Sequence, residues 1–353
     1  MDIRYKILDI RLKNFSIFYF LLITVCSILI TSCIKDKPDA PTNSNINISS
    51  TNKVYVINEG GYGHNNASIS LYDATTGAIA EDYFHQQNST IVLGDVCQSM
   101  TKYNSNYYIV VNNSGKIEVV SSSDFKKNST ITGFNSPRYF LPISYNKAYV
   151  SDLYAHSIQV VDLNSNSIIG AIPTYSNTEQ MALIYNKAFV TSYSSNYCYA
   201  INTITDVITD SIIVNKGASS ICLDKNSKVW VLSSSKLLRI NPVSMQVELA
   251  LSFNVNDNPT QLCMNKTKDT LYYLNKGICQ LPIVNGSLPL MPLVAQGSKV
   301  YYGLGINPTD YTIYVSDAID YVQKSTIEIY TVSGVMKKSF KAGIISNGFA
   351  FSE

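Results

Sequence analysis

Histidine, tyrosine and arginine side chains in a few short polar stretches supply the chemistry this sequence has to offer. The three histidines, His64, His85 and His156, are candidate ligands for a metal, a bound cobalt included. Histidines this far apart are more often plain loop residues, and no C-x-x-C or H-E-x-x-H spacing accompanies them, so the reading assigns no metal and no cofactor. Tyr62, Tyr139, Tyr154, Tyr193, Tyr301 and Tyr321 sit in stretches rich in amides and small residues. Tyrosine gives rigid contact area and one hydrogen bond at low entropic cost, which suits a binding surface. With 26 tyrosines in the chain, composition alone accounts for part of this pattern. Asn112, Asn113 and Gln180 add donors and acceptors, and Arg138, just after Pro137, is placed to meet an anion or to pair with Glu179. Asp317 and Asp320 form an acid pair of a kind that is mostly solvated. No G-x-S-x-G elbow and no regular calcium loop is present, and Gly60-Gly61 opens no helix that could cradle a phosphate. These residues point to binding rather than catalysis.

What must position them is a repeat. One short apolar strand recurs from residues 54, 108, 148, 188, 229, 271 and 313, as in Ala148-Tyr-Val-Ser-Asp152 and Ile313-Tyr-Val-Ser-Asp317. The longer first step is accounted for by insertions near 59–67 and 80–92. Each copy is followed by an alternating strand such as Ser157-Ile-Gln-Val-Val-Asp162, then by an outer strand such as Ser167-Ile-Ile-Gly-Ala-Ile172. A strand with small residues precedes it, as in Tyr302-Gly-Leu-Gly-Ile306. Four short antiparallel strands per ~42 residues predict an all-β, seven-bladed propeller. The chain starts on a second-position strand and ends on a first-position one, Gly348-Phe-Ala-Phe-Ser352, so the C-terminal strand is expected to complete the N-terminal blade. A sandwich or a solenoid explains neither the seven copies nor that closing strand. No helical period is found in 52–353. The loops entering the innermost strands and those between second and third strands then share one face, and the candidate residues all fall in them.

The N-terminus reads as an address. Basic residues Arg4, Lys6, Arg11 and Lys13 precede an apolar stretch from Phe15 to Ile30, too short for a spanning helix. Ile30-Thr31-Ser32-Cys33 resembles a bacterial lipobox, which implies cleavage before Cys33 and lipidation of its sulfur. The predicted organisation is a signal peptide at 1–32, lipidated Cys33 with a flexible tether at 33–51, and the propeller at 52–353. Residues 1–32 carry four basic and two acidic side chains, hence +2, and the whole chain is +2, so the mature protein is near neutral. It has no basic stripe for nucleic acid. Cys97, Cys198, Cys222, Cys263 and Cys279 all lie in predicted strands and read as buried thiols, with room for one pair to bridge.

The repeat resembles the YncE-like propellers. Ile57-Asn-Glu-Gly-Gly61, Ser68-Ile-Ser-Leu-Tyr-Asp73, Leu93-Gly-Asp-Val-Cys-Gln-Ser-Met100, Val111-Asn-Asn-Ser-Gly-Lys-Ile-Glu118, Ser136-Pro-Arg-Tyr139 and Tyr314-Val-Ser-Asp-Ala318 resemble the Bacteroidetes surface lipoproteins of the DUF5074 type. That resemblance covers 52–353. It implies a lipid-anchored outer-membrane protein, on the cell-surface side or alternatively the periplasmic face. It also implies a nutrient ligand, a corrinoid such as vitamin B12 among them, passed to a TonB-dependent transporter. The competing readings are an envelope protein-interaction scaffold and a lactonase- or quinoprotein-like enzyme.

Overall fold

A computed structural model describes residues 51–352. The expected signal peptide, the expected lipidation of Cys33 and the expected tether up to residue 50 lie outside the described residues. Within them the backbone forms seven four-stranded antiparallel sheets. Blade 1 joins the C-terminal strand Ser346–Phe351 to Lys53–Asn58, Ser68–Asp73 and Ile79–Ala80. The innermost strands of blades 2 to 7 are Cys97–Tyr103, Pro137–Ser144, Met181–Ile184, Ser220–Leu223, Thr260–Met264 and Tyr301–Ile306. Each touches the next, and the last touches Ser346–Phe351, so the ring is closed as the sequence predicts. Closure leaves only short inner edges, turned toward the channel and screened by the neighbouring blades.

The burial pattern explains why the repeat is legible. Second strands are sandwiched between two neighbouring blades, so Lys147–Asp152 is buried at every position after the first. Outermost strands face solvent, and in Ser167–Pro173 only Ile172 is fully buried. The core consists of apolar layers between successive blades, for example Phe189, Cys198 and Val214 against Val229, Val231 and Leu238. Between blades 1 and 2 the layer is aromatic, with Tyr55 stacked on Phe125 at 5.0 Å and edge-on to Tyr107 at 5.1 Å.

The expectation of no helix in 52–353 is corrected at two places. Tyr83–Gln87 forms a five-residue helix, and Asn112–Ser114 a single 3-10 turn. The helix exists because Asp82 accepts the His85 backbone N–H and because Tyr83 and Phe84 are buried against the aromatic layer. A single turn fixed by tertiary burial shows no period in sequence. The five described cysteines are all free, so no pair bridges.

Candidate functional site at the channel mouth

The loops between second and third strands and those entering the innermost strands gather at one end of the central channel. A cavity of about 620 Å³ opens there, lined by residues from all seven blades. Its wall repeats with the fold. Near the start of each innermost strand stands one polar side chain: Asn347, Gln98, Arg138, Gln180, Ser220, Gln261 and Tyr302 for blades 1 to 7. In blades 1, 2, 3, 6 and 7 the strand pairing is irregular at that place, between Ser346 and Gly348, Cys97 and Ser99, Pro137 and Phe140, Thr260 and Cys263, and Tyr301 and Leu304. A bulge of this kind re-aims side chains, and Gln261 holds a left-handed φ of 59° there. Gly303 follows Tyr302 because nothing larger fits: a Cβ would come within 2.7 Å of the Asn347 carbonyl carbon.

The mouth is ionic and largely desolvated. Arg138 Nε donates to Glu179 Oε2 at 3.0 Å, and Arg138 also donates to the Gln98 side-chain oxygen. The guanidinium lies 6.0 Å from the Tyr139 ring centroid. Glu59 accepts from Asn347 Nδ2 at 2.9 Å and from the Tyr302 hydroxyl at 3.3 Å. Burial pushes the Glu59 carboxyl above its usual range, only partly offset by Asn347, Arg138 and Tyr302. Burial does the same to Glu179, against the pull of Arg138. Burial also opposes the Arg138 charge, but Glu179, Tyr139 and Glu59 outweigh it and hold its pKa above the ordinary value. Burial likewise raises the Tyr139 and Tyr302 phenols, so both act as neutral hydrogen-bonding groups.

Of the residues singled out in sequence, Arg138, Tyr139, Gln180, Tyr301 and Tyr321 line this cavity. Arg138 resolves in favour of pairing with Glu179. Tyr301 contributes wall, while its hydroxyl donates to Glu328 Oε2 at 3.0 Å; Tyr321 packs edge-on to Tyr302 at 5.6 Å. Asn112 is a brace beneath the site, its Nδ2 donating to Ser136 Oγ and to the Pro137 carbonyl, both at 2.9 Å. Asn113 donates to Asp95 at 2.6 Å, and Asp317 accepts the Val300 and Ile319 N–H groups at 2.9 Å. Tyr62, His64, Tyr154, His156 and Tyr193 are exposed on loops of the same face, outside the cavity wall, and His85 is exposed on the short helix. Among the described residues no three His, Cys, Asp or Glu side chains are grouped to hold a metal. Glu59, Gln98, Gln261, Tyr302 and Asn347 were not picked out in sequence. The signal that finds the last four is a polar residue recurring at one repeat position, which shows only once the bulges are known; Glu59, just past the second strand of blade 1, carries no such signal.

No curated protein matches the chain. Solved structures share the fold. A quinonprotein alcohol dehydrogenase-like protein from Bacteroides thetaiotaomicron is 14% identical with a TM-score of 0.70, over 86% of this chain and 78% of that one. A functionally unknown protein from Desulfotomaculum acetoxidans is 17% identical with a TM-score of 0.66, over 86% and 99%. The periplasmic gluconolactonase of Pseudomonas aeruginosa is 9% identical with a TM-score of 0.63, over 85% and 99%. Such identities speak to the fold alone. The family described as a domain of unknown function, DUF5074, matches residues 52–342, and this seven-bladed propeller belongs to it.

Proposed function

We propose that this protein captures a nutrient ligand bearing carboxamides, of the corrinoid class, at its channel mouth. We further propose that it does so as a lipid-anchored outer-membrane protein that passes the ligand to a TonB-dependent transporter. The observation that carries the reading is the preformed mouth: about 620 Å³, inside the usual range for small-molecule sites, walled by polar side chains from every blade, amides and phenols prominent among them. A corrinoid is too broad to enter whole. One edge would occupy the cavity while the disc lies over the exposed Tyr62, Tyr154 and Tyr193. Binding rather than turnover is supported by the state of the two acids, since Glu59 and Glu179 are already engaged by fixed partners. An upstream anchor fits as well, because the chain joins the ring at Lys53, at the end of its strand opposite Asn58 and the mouth.

Calorimetric titration with cyanocobalamin and cobinamide tests this. Saturable binding is expected, weakened by Gln98→Ala and by Tyr302→Phe. Absence of heat across a corrinoid panel refutes the ligand class. Co-purification of a transporter only when ligand is present would support the handover, and co-purification regardless of ligand would favour a scaffold.

A further inference from the structure

The amides of the mouth are asymmetric in what they offer a ligand. Asn347 Nδ2 faces three acceptors: Glu59 Oε1 at 2.9 Å, the Gln98 carbonyl at 2.9 Å and the Cys97 carbonyl at 3.4 Å. Those acceptors fix which end of the amide is nitrogen. Its Oδ1 is left without a partner although the residue is only 8% exposed. Asn275 repeats the arrangement, with its amide hydrogen-bonded to the Asp257 carboxylate and its Oδ1 buried and unpaired. Gln98, Gln261 and Gln296 likewise spend their Nε2 groups on the Tyr139 hydroxyl, the Asn347 carbonyl and the Lys299 carbonyl. Gln98 and Gln180 have their side-chain oxygens occupied as well, by Arg138 and by the Ile221 N–H. Buried acceptors are rarely left unpaired, so the two asparagine oxygens mark places where a donor is missing.

Charge points the same way. Inside the mouth two carboxylates, Glu59 and Glu179, face one guanidinium, Arg138, whose Nε and one terminal nitrogen are already committed to Glu179 and Gln98. The other cation of the wall, Lys276, is tied to Asp257 at 2.6 Å.

We propose that the group entering the mouth is a primary carboxamide acting as hydrogen-bond donor, received by Asn347 Oδ1 and the Glu59 carboxylate, and that the same mouth discriminates against carboxylates. This deepens the binding reading above and rests on it. In a carboxamide the N–H groups would meet Asn347 Oδ1, which has no partner, and the Glu59 carboxylate, whose two donors, Asn347 and Tyr302, leave it lone pairs to share. A carboxylate would bring a third negative charge to a site whose one guanidinium already serves Glu179 and Gln98.

Two probe pairs test the assignment on the full chain. The first is cyanocobalamin against each of its monocarboxylic acids, in which one peripheral carboxamide has become a carboxylate, titrated by calorimetry. At least one acid should bind about tenfold weaker or more, the value of a hydrogen bond to a charged group, and Glu59→Gln should narrow that gap. The second is butyramide against butyrate at equal millimolar concentration, read as the shift in melting temperature, with only the amide expected to raise it. Corrinoids that bind with equal affinity as amide and acid, in both wild type and Glu59→Gln, overturn the donor assignment and leave the binding site standing. No corrinoid binding together with a butyramide preference overturns the ligand class and upholds the assignment. A butyrate preference overturns the assignment outright.

Discussion

Replacing Arg138 by methionine isolates the electrostatics of the mouth. The substitution keeps most of the side-chain volume and removes the cation between Glu179 and Glu59. Removing one partner of a buried pair usually costs about 3–5 kcal/mol, because the remaining charge stays buried and uncompensated. Glu179 is 4% exposed, and the Arg138 side chain is 21% exposed, so the lower end, about 3 kcal/mol at neutral pH, is expected. The pH dependence has a definite sign. Burial raises the Glu179 pKa above 4.5 even with Arg138 present, and more without it. A folded-state pKa above the unfolded one means the native state binds more protons, so stability falls as pH rises from about 4.5 through the folded value. The deficit of Arg138→Met should therefore be largest at neutral pH and shrink toward pH 4.5, and Glu179→Gln in the same chain should recover much of it. Urea unfolding midpoints at a series of pH values, with unchanged slopes, measure this. A variant as stable as wild type at pH 7, or one whose deficit grows on acidification, would refute the reasoning.

Other consequences follow from the same geometry. Deleting residues 347–353 strips the innermost strand from Lys53–Asn58, exposes that strand's edge and opens the ring between blades 7 and 2; gel filtration should show aggregation or an expanded chain, and a stable monomer would contradict ring closure. Asn112→Ala removes both hydrogen bonds that brace the start of the Arg138 strand, and chemical denaturation should show a loss of about 1–3 kcal/mol. Burial pushes the thiols of Cys198 and Cys263 up to about 12 and that of Cys279 to about 11. In native protein these cysteines should resist a thiolate-directed reagent and react only on unfolding.

The ring was legible in sequence because its strongest signal comes from strands buried on both faces. Ala148-Tyr-Val-Ser-Asp152 must be apolar and short wherever it recurs, so its spacing reports the blade directly. The closing strand was legible by phase, since the chain begins one strand late. The mouth was only half legible. Arg138, Tyr139 and Gln180 stand out as polar residues entering an innermost strand, whereas Tyr301 was preferred to Tyr302. A one-residue difference decides which ring faces Glu59 and which is tied to Glu328, and it is set by a bulge in backbone pairing that leaves no compositional trace. Asn347 and Glu59 are separated by 288 residues and become partners only when the ring shuts. Tyr62, Tyr154 and Tyr193 share a face with the mouth but not its wall, a distinction of loop path that sequence spacing does not carry.

The central claim, that ligand is received at this mouth, is tested most directly by hydrogen–deuterium exchange with and without cyanocobalamin. Protection is predicted in peptides containing Glu59, Gln98, Arg138, Gln180 and Tyr302, with the turns at the opposite end, such as those at Asn146 and Asn186, unchanged. Protection centred on those opposite turns, or on none of the mouth peptides despite measured binding, would contradict it.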